Sequence, residues 1–485
     1  MSRVLKAITY SAIGQYSVQI MSFASVIILS RLMTPAEIGV FAIATSVYLL
    51  ATEFRTMGVA QFLIREKSLD EQKIRSALGM IIAASWSLGL LTILLAPLVA
   101  DFYSHPDLTD ILLIMSISFF IGPFTSIPYA LWMREMQFRP RFYQNFLSTL
   151  VRTLTAVLLV LMGFSYFGLA IASVAGVAVE LAVAIIFRPS GVVWLPSFSW
   201  VADLLRFSLY TTATNLCSRF TVSIPDLVIG RMATMADVGI FSRGVGVIQF
   251  AANLMFSAIK PVILPHLSEV NRSGESVEDA YLRTIKLQAA LSWPILAVIS
   301  IAAYPLVMAL FGDQWVQAAP VASILAFGLI IGSVHFYGSS ALLAKGAEKA
   351  VFIIELAVSV VRFAGVVVAV PFGLEMAAWA IVFSSVVDLM LKTIVIRKVI
   401  GVRVQHLITT LVPNMVITLV CWSVALLIDQ IMSFEESNVW SSILVLAIFL
   451  PPTWLMMLRV TRHEAWDLMV GIAGRIWKRI VVSGR

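Results

Sequence analysis

Charge is what this sequence has least of. Only 13% of its 485 residues are Asp, Glu, Lys or Arg, about half the share of an ordinary soluble domain. Cysteine is nearly absent as well. Cys217 and Cys421 both sit inside apolar runs, which excludes a disulfide framework and a cysteine zinc site and leaves them as small packing residues. No H-E-x-x-H and no P-loop is present. No loop is long enough to hold a soluble catalytic domain, the largest being residues 260–284. Metalloprotease, nucleotide-hydrolysing and sugar-nucleotide transferase chemistries therefore have no seat, and the chain reads as a non-enzyme.

What fills the sequence is apolar residue in long runs. Sixty per cent of the chain is hydrophobic, and the mean hydropathy is +0.95. Runs of about twenty residues are transmembrane-helix length, and continuous runs exclude the short alternating segments of a barrel. We count fourteen such spans, among them 8–30, 38–61, 205–229, 285–310, 317–342, 408–428 and 438–458. The pairs at 142–187 and 351–395 are split by the glycine turns "GFSYFG" and "PFG". The opening "MSRVLKAITYSAIG" reads as the approach to a retained first span. With the N-terminus in the cytoplasm, 26 of the 34 Lys and Arg lie on the cytoplasmic side, six lie within spans, and only Arg31 and Arg231 lie outside. That bias fits both termini on the cytoplasmic side and an even number of spans. It also accounts for the net charge of +7 without nucleic acid. The tail, with Trp466, Met469, Ile472, Ile476 and Ile480 among Arg475, Lys478 and Arg479, reads as an amphipathic basic segment on the membrane surface.

One phrase occurs twice. "SRLMTPAEIGVFA" at 30–42 returns as "GRMATMADVGIFS" at 230–242. Arg31, Thr34, Ala36, Gly39 and Phe41 match Arg231, Thr234, Ala236, Gly239 and Phe241 at an offset of 200, and Glu37 faces Asp237. The same offset aligns Gln15 with Asn215 and Gln19 with Arg219. Each copy reads as a tight outer hairpin: an arginine at a helix end, an acid at the next helix start, a glycine for close approach. Spans 1–6 and 7–12 thus form parallel repeats, a plan suited to alternating access. The expected divisions are residues 1–190 and 191–400 as six-helix lobes, 401–460 as two extra spans and 461–485 as the tail.

The two-lobed plan, the "SRLMTPAEIGVFA" turn, "ALWMREMQFRPRF", "ALFGDQWVQAAP" and "PFGLEMAAWA" together resemble the polysaccharide-transporter branch of the multidrug/oligosaccharidyl-lipid/polysaccharide exporter superfamily. The resemblance covers roughly residues 1–400. It implies an all-α polytopic fold of two lobes in pseudo-two-fold repeat, and a cavity between them lined by spans 1, 2, 7 and 8. It implies a flippase for polyprenyl-pyrophosphate-linked oligosaccharide, of the undecaprenyl type, in the bacterial cytoplasmic (inner) membrane. Exopolysaccharide, capsule or O-antigen synthesis would be served, with membrane lipids and the polymerase and export machinery as partners and a monomer as the unit. No cofactor is implied; coupling to H+ or Na+ is open. The alternatives are a peptidoglycan lipid-precursor flippase and a drug or cation antiporter of the same fold, the latter expecting an acid-dominated cavity.

Ionisable groups within the bilayer cost roughly 2.5–3.5 kcal/mol on insertion scales, so they mark cavities or pairs. Asn215, Arg219 and Asp226 share one face of span 7, with Pro225 breaking its hydrogen bonding. Ser11, Gln15, Gln19 and Ser22 share the matching face of span 1. Arg219 and Arg55 are the candidates for pyrophosphate, because a guanidinium matches phosphate oxygens and stays charged. Gln15, Gln19, Asn215 and Arg243 complete the candidate substrate set. Arg219 to Asp226 is two turns, about 10.5 Å of rise, too far for an unstrained pair; Arg55 has Glu53 as a competing partner. Arg152 with Glu180, and Arg362 with Asp388, are expected as ion pairs within each lobe, or their acids, with Asp226, as coupling sites. His335 reads as a packed polar residue.

Overall fold

Lipid leaves the backbone no hydrogen-bond partner but itself, and among the described residues every regular element is helical. The computed structural model describes residues 2–56, 63, 66, 69–189, 192, 194–199, 201–256 and 260–471, with side chains for all of these except 2–13, 54–56, 201–211 and 260–261. The first eight helices are α1 (Ser2–Leu32), α2 (Pro35–Thr56), α3 (Glu71–Phe102), α4 (Asp107–Arg134), α5 (Phe138–Leu161), α6 (Ser165–Ile186), α7 (Val201–Met232) and α8 (Met235–Phe256). They are followed by α9 (Lys260–Ser273), α10 (Val277–Ile301), α11 (Ala303–Phe311), α12 (Ala318–Ser333), α13 (Gly338–Ala344), α14 (Glu348–Ala369), α15 (Leu374–Val399), α16 (Val404–Met432) and α17 (Val439–Val460).

The fourteen expected spans fall on α1–α8, α10, α12 and α14–α17. Twelve helices among the described residues are long and apolar enough to cross a membrane. α1 and α7, of 31 and 32 residues, have side chains described only in part. Large apolar side chains lie bare on the outer surface, Ile431 at 82% and Ile186 at 74% exposure. In water this would invite aggregation; in a bilayer it is the lipid contact.

Three departures from the expected spans have local causes. The stretch at 260–284 contains α9, and α10 begins eight residues ahead of the expected 285. The Ser276 hydroxyl accepts from Asp279 N at 3.1 Å, and Glu278 and Asp279 occupy the first turn, a sequence-readable helix start. α10 gives way to α11 at Ala302. The expected span at 317–342 is interrupted at 334–337, between α12 and α13. The glycine turns stand where expected: Gly163 and Gly373 take φ of +89° and +106°, values that disfavour other residues.

The chain divides into two compact units, one of Met1–Ser242 with Glu355–Pro371, the other of Arg243–Ile354 with Phe372–Arg485. In the first, Leu63, Ile74, Leu78, Ile81, Ile127 and Leu131 form a buried cluster between α3 and α4. Arg134 of α4 donates to the carbonyls of Leu63 and Glu66 at 2.7 and 2.6 Å, tying the α2–α3 connection to it. In the second, Ala290, Ile417, Cys421 and Leu458 join α10, α16 and α17. Both cysteines are free.

Residues 464–471 are helical; Ile472, Arg475, Ile476, Lys478, Arg479 and Ile480 of the expected amphipathic tail lie outside the described residues. The helical stretch is started by His463, whose Nδ1 accepts from Ala465 N at 3.1 Å, and is tied down by the Arg283–Glu464 ion pair. Burial, reinforced by Lys286 and opposed by Glu464, holds the His463 pKa below the usual 6.5. A protonated imidazole cannot accept from Ala465. A depressed histidine pKa means the stabilisation is complete above 6.5 and is lost as pH falls through the lower folded value. Proteolysis of the tail should therefore accelerate as pH is lowered from 7.5 toward 5, and His463→Gln should remove that dependence. Equal pH dependence in both proteins would contradict the assignment.

Candidate functional site

The two copies of the repeated phrase meet within the first unit. A Cβ built on Gly39 would lie 1.8 Å from the Met235 carbonyl oxygen, and one on Gly239 would lie 2.0 Å from that of Pro35. The starts of α2 and α8 thus cross backbone against backbone, each glycine facing the first residue of the opposite helix, as a two-fold contact requires. Each copy also carries a capping box. Thr34 N donates to Glu37 Oε2 at 2.7 Å and Glu37 N to Thr34 Oγ1 at 3.3 Å. Thr234 N donates to Asp237 Oδ2 at 2.9 Å and Asp237 N to Thr234 Oγ1 at 3.2 Å. The acids do more than complement a helix dipole: they close these boxes, a T-x-x-E/D signal legible in the sequence. Ser165 adds a hydrogen bond to Glu37 Oε1 at 2.6 Å. Arg231 lies over the Phe102 ring, 5.0 Å from its centroid.

Inward from this crossing, polar contacts join α2 to α7. Ser46 Oγ donates to Asp226 Oδ2 at 2.9 Å. Arg219 Nε donates to Glu53 Oε1 at 2.6 Å. Seven residues separate Ser46 from Glu53 and seven separate Arg219 from Asp226, so the contacts repeat after two turns on antiparallel helices. The expected strain between Arg219 and Asp226 is thus avoided by giving each its own partner on α2. Ser46 was not singled out by sequence, and Glu53 only as a competitor for Arg55; the matched seven-residue steps are the signal that finds them. The Arg219 side chain is 52% exposed and that of Glu53 18%. The pair is made through Nε. Asn215 is exposed on the same face of α7. Arg55 lies in α2, and its side chain is outside the described residues.

Pro225 has no N–H to give the Thr221 carbonyl one turn back. Arg362 Nη1 of α14 lies 3.5 Å from that carbonyl and takes the missing donor's place. Below it, Ser359 and Thr221 hydroxyls are 2.5 Å apart, and Tyr103 Oη donates to Leu227 O at 3.2 Å. Burial first, then the nearby Asp226 carboxylate, push the Tyr103 pKa up to about 12, so it remains a donor at any working pH.

The remaining candidates are dispersed. Gln15 is exposed beside Phe138, Arg141, Phe142 and Asn145 of α5, while Gln19 Nε2 is buried with no hydrogen-bond partner among the described residues. Arg152 donates to Thr149 Oγ1 on its own helix at 3.4 Å and lies against Gly176 of α6, one turn before Glu180. In the second unit, Asp388 pairs with Lys392 at 2.8 Å. The i,i+4 spacing on α15 supplies this partner locally. Arg243 lies over Trp315 and Phe311, 5.4 and 5.9 Å from their centroids. His335 is buried between Tyr281 Oη at 2.8 Å and Thr393 Oγ1 at 2.9 Å, a packed polar residue. Breaking the Asp388–Lys392 pair with Lys392→Met should cost about 1.5–3 kcal/mol, the range for hydrogen bonds to charged groups. A melting temperature in detergent that does not move would show the pair to be idle.

The described residues form a multi-pass helical membrane protein whose long helices are joined by polar contacts. The backbone matches lipid II flippase MurJ in its inward closed conformation, with a TM-score of 0.76, 12% identity, and coverage of 93% of this chain and 98% of that one. It also matches an inward-facing multidrug resistance MATE family transporter of the MOP superfamily, with a TM-score of 0.60, 15% identity, and coverage of 80% and 98%. The fold is that of these transporters. Within it, residues 28–320 match the polysaccharide biosynthesis protein family, and the chain belongs to that family. It is 24% identical over 331 residues to the succinoglycan biosynthesis transport protein ExoT of Rhizobium meliloti (strain 1021), a match covering 67% of this chain and 65% of ExoT's length.

Proposed function

We propose that this protein is a flippase. It carries polyprenyl-pyrophosphate-linked oligosaccharide repeat units across the bacterial cytoplasmic membrane for surface polysaccharide synthesis, by alternating access and without a chemical reaction. Family membership and the transporter fold support the class. The observation that carries the substrate assignment is Arg219. It is a permanent cation within a membrane helix, half exposed, and engaged by Glu53 through Nε. An anionic lipid head has a donor there; a cationic drug does not. Asn215 extends this polar face of α7, and Arg55, Gln15, Gln19 and Arg243 are the further substrate residues of the proposal. Asp226, Glu180 and Asp388 are candidates for H+ or Na+ coupling.

In this reading residues 1–190 and 191–400 are the moving halves, and both termini face the cytoplasm, as the distribution of Lys and Arg supports. The reciprocal Gly39–Gly239 contact supports the two-fold relation between spans 1–6 and 7–12. A protein devoted to peptidoglycan precursor would bind the same lipid pyrophosphate; the family supports surface polysaccharide instead. Deleting the gene tests this. The cells should lose an exported polysaccharide and accumulate its polyprenyl-linked repeat unit inside. Unchanged polysaccharide with altered drug sensitivity would sink the proposal.

A further inference from the structure

The first unit holds an apolar groove beside Arg219. Its volume is about 410 Å³, and Leu50 of α2, Leu216 and Phe220 of α7, and Leu356, Val360 and Phe363 of α14 form its walls, a size within the range of roughly 300–1,000 Å³ seen in ligand clefts. Its exposed surface is apolar because the hydroxyls at its base are turned into the backbone. Ser359 Oγ donates to Glu355 O at 2.7 Å, and Thr221 Oγ1 to Cys217 O at 2.8 Å. Phe220 and Phe363 face each other at 6.2 Å between centroids, tilted by 30°.

The groove and the cation share helix faces. Leu216 precedes Arg219 by three residues on α7, and Leu50 precedes Glu53 by three on α2, so each wall residue is one turn from a member of the ion pair. A dry cleft alone would suit any apolar chain. A dry cleft one turn from a half-exposed guanidinium suits an amphiphile whose head is anionic. We infer that this groove takes the polyprenyl chain of the lipid-linked substrate, next to the head group that Arg219 receives. Its branched and aromatic walls suit a methyl-branched polyene, and the Phe220 and Phe363 rings offer faces for its double bonds. This assignment rests on the flippase reading for the identity of the lipid.

The test uses the full-length protein with p-benzoyl-phenylalanine in place of Val360, which is 60% exposed. It is reconstituted into phosphatidylethanolamine–phosphatidylglycerol vesicles with or without undecaprenyl phosphate, irradiated, and analysed by mass spectrometry. The expected product is an adduct carrying the mass of undecaprenyl phosphate. Leu356→Trp, which fills the groove from a position 44% exposed, should abolish it. If that variant fails to fold, Phe363→Ser should abolish the adduct instead. Adducts of phospholipid acyl chains alone, or polyprenyl adducts that survive groove filling, would overturn the inference. Its failure is separable from that of the flippase reading. Trapped lipid-linked sugar on gene deletion, with no polyprenyl capture at Val360, leaves a flippase without this groove. Polyprenyl capture with no trapped sugar leaves a polyprenyl site without the flippase.

Discussion

Replacing Gly39 with alanine is expected to open the contact between α2 and α8 and to stop export. The added Cβ would stand 1.8 Å from the Met235 carbonyl oxygen, where an ordinary contact needs well over 3 Å. Backbone cannot rotate away as a side chain can, so the helices must part. Overpacking of this kind costs about 1–3 kcal/mol, more than the up to about 1 kcal/mol that alanine gains over glycine in helix propensity. Gly239→Ala should act alike, through Pro35. Because the contact is reciprocal, the double variant should cost little more than either single one: once the helices separate, the second Cβ enters a gap already made. Gly246→Ala, on the same helix as Gly239, is the control, since its Cβ would meet no packed neighbour within 4 Å. The measurement is maleimide labelling of a cysteine at Val40, 1% exposed, with Cys217 and Cys421 replaced by serine. Unchanged labelling and melting in Gly39→Ala would mean the crossing is not what holds this end together.

Arg219→Ala is the second large effect. Export should fall by at least about tenfold, the equivalent of 1.4 kcal/mol in binding, while the protein still inserts. Arg219→Lys should retain part of it, since an ammonium replaces a planar set of donors with a point charge. The Glu53 partnership supplies the sharper comparison. In the exchanged variant Glu53→Arg with Arg219→Glu, the ion pair can re-form but the cation moves to α2. If Arg219 serves only to pin α7 to α2, the exchange should rescue export. If it receives phosphate, the exchange should restore the melting temperature and leave export lost. Full export in Arg219→Ala itself would remove the cationic site.

The sequence carried the helical membrane architecture because lipid imposes one repeated demand: twenty apolar residues, nearly free of charge. It carried the repeat because an offset of 200 persists over a dozen positions. It did not carry the partner choices. Asp388 finds Lys392 one turn away on its own helix, and Arg362 finds a carbonyl orphaned by Pro225. A backbone acceptor leaves no trace in a list of charged residues. The breaks at Ala302 and at 334–337 were invisible for a related reason. An apolar run reads the same whether its helix is continuous or interrupted. Arg219 was legible as a cation out of place in a membrane span; Glu53 needed the register between α2 and α7, which no single helix reveals.

The Arg362–Thr221 contact also has a bearing on synthesis. Glu355–Pro371 belongs to the same compact unit as Met1–Ser242, although more than a hundred residues lie between them in the chain. Domains made on the ribosome fold in order of emergence, but this one cannot finish in order. α7 must wait in the membrane with the Thr221 carbonyl unserved until α14 has been translated. An insertion intermediate halted near residue 350 would therefore lack the Arg362 donor that the Thr221 carbonyl meets in the finished unit.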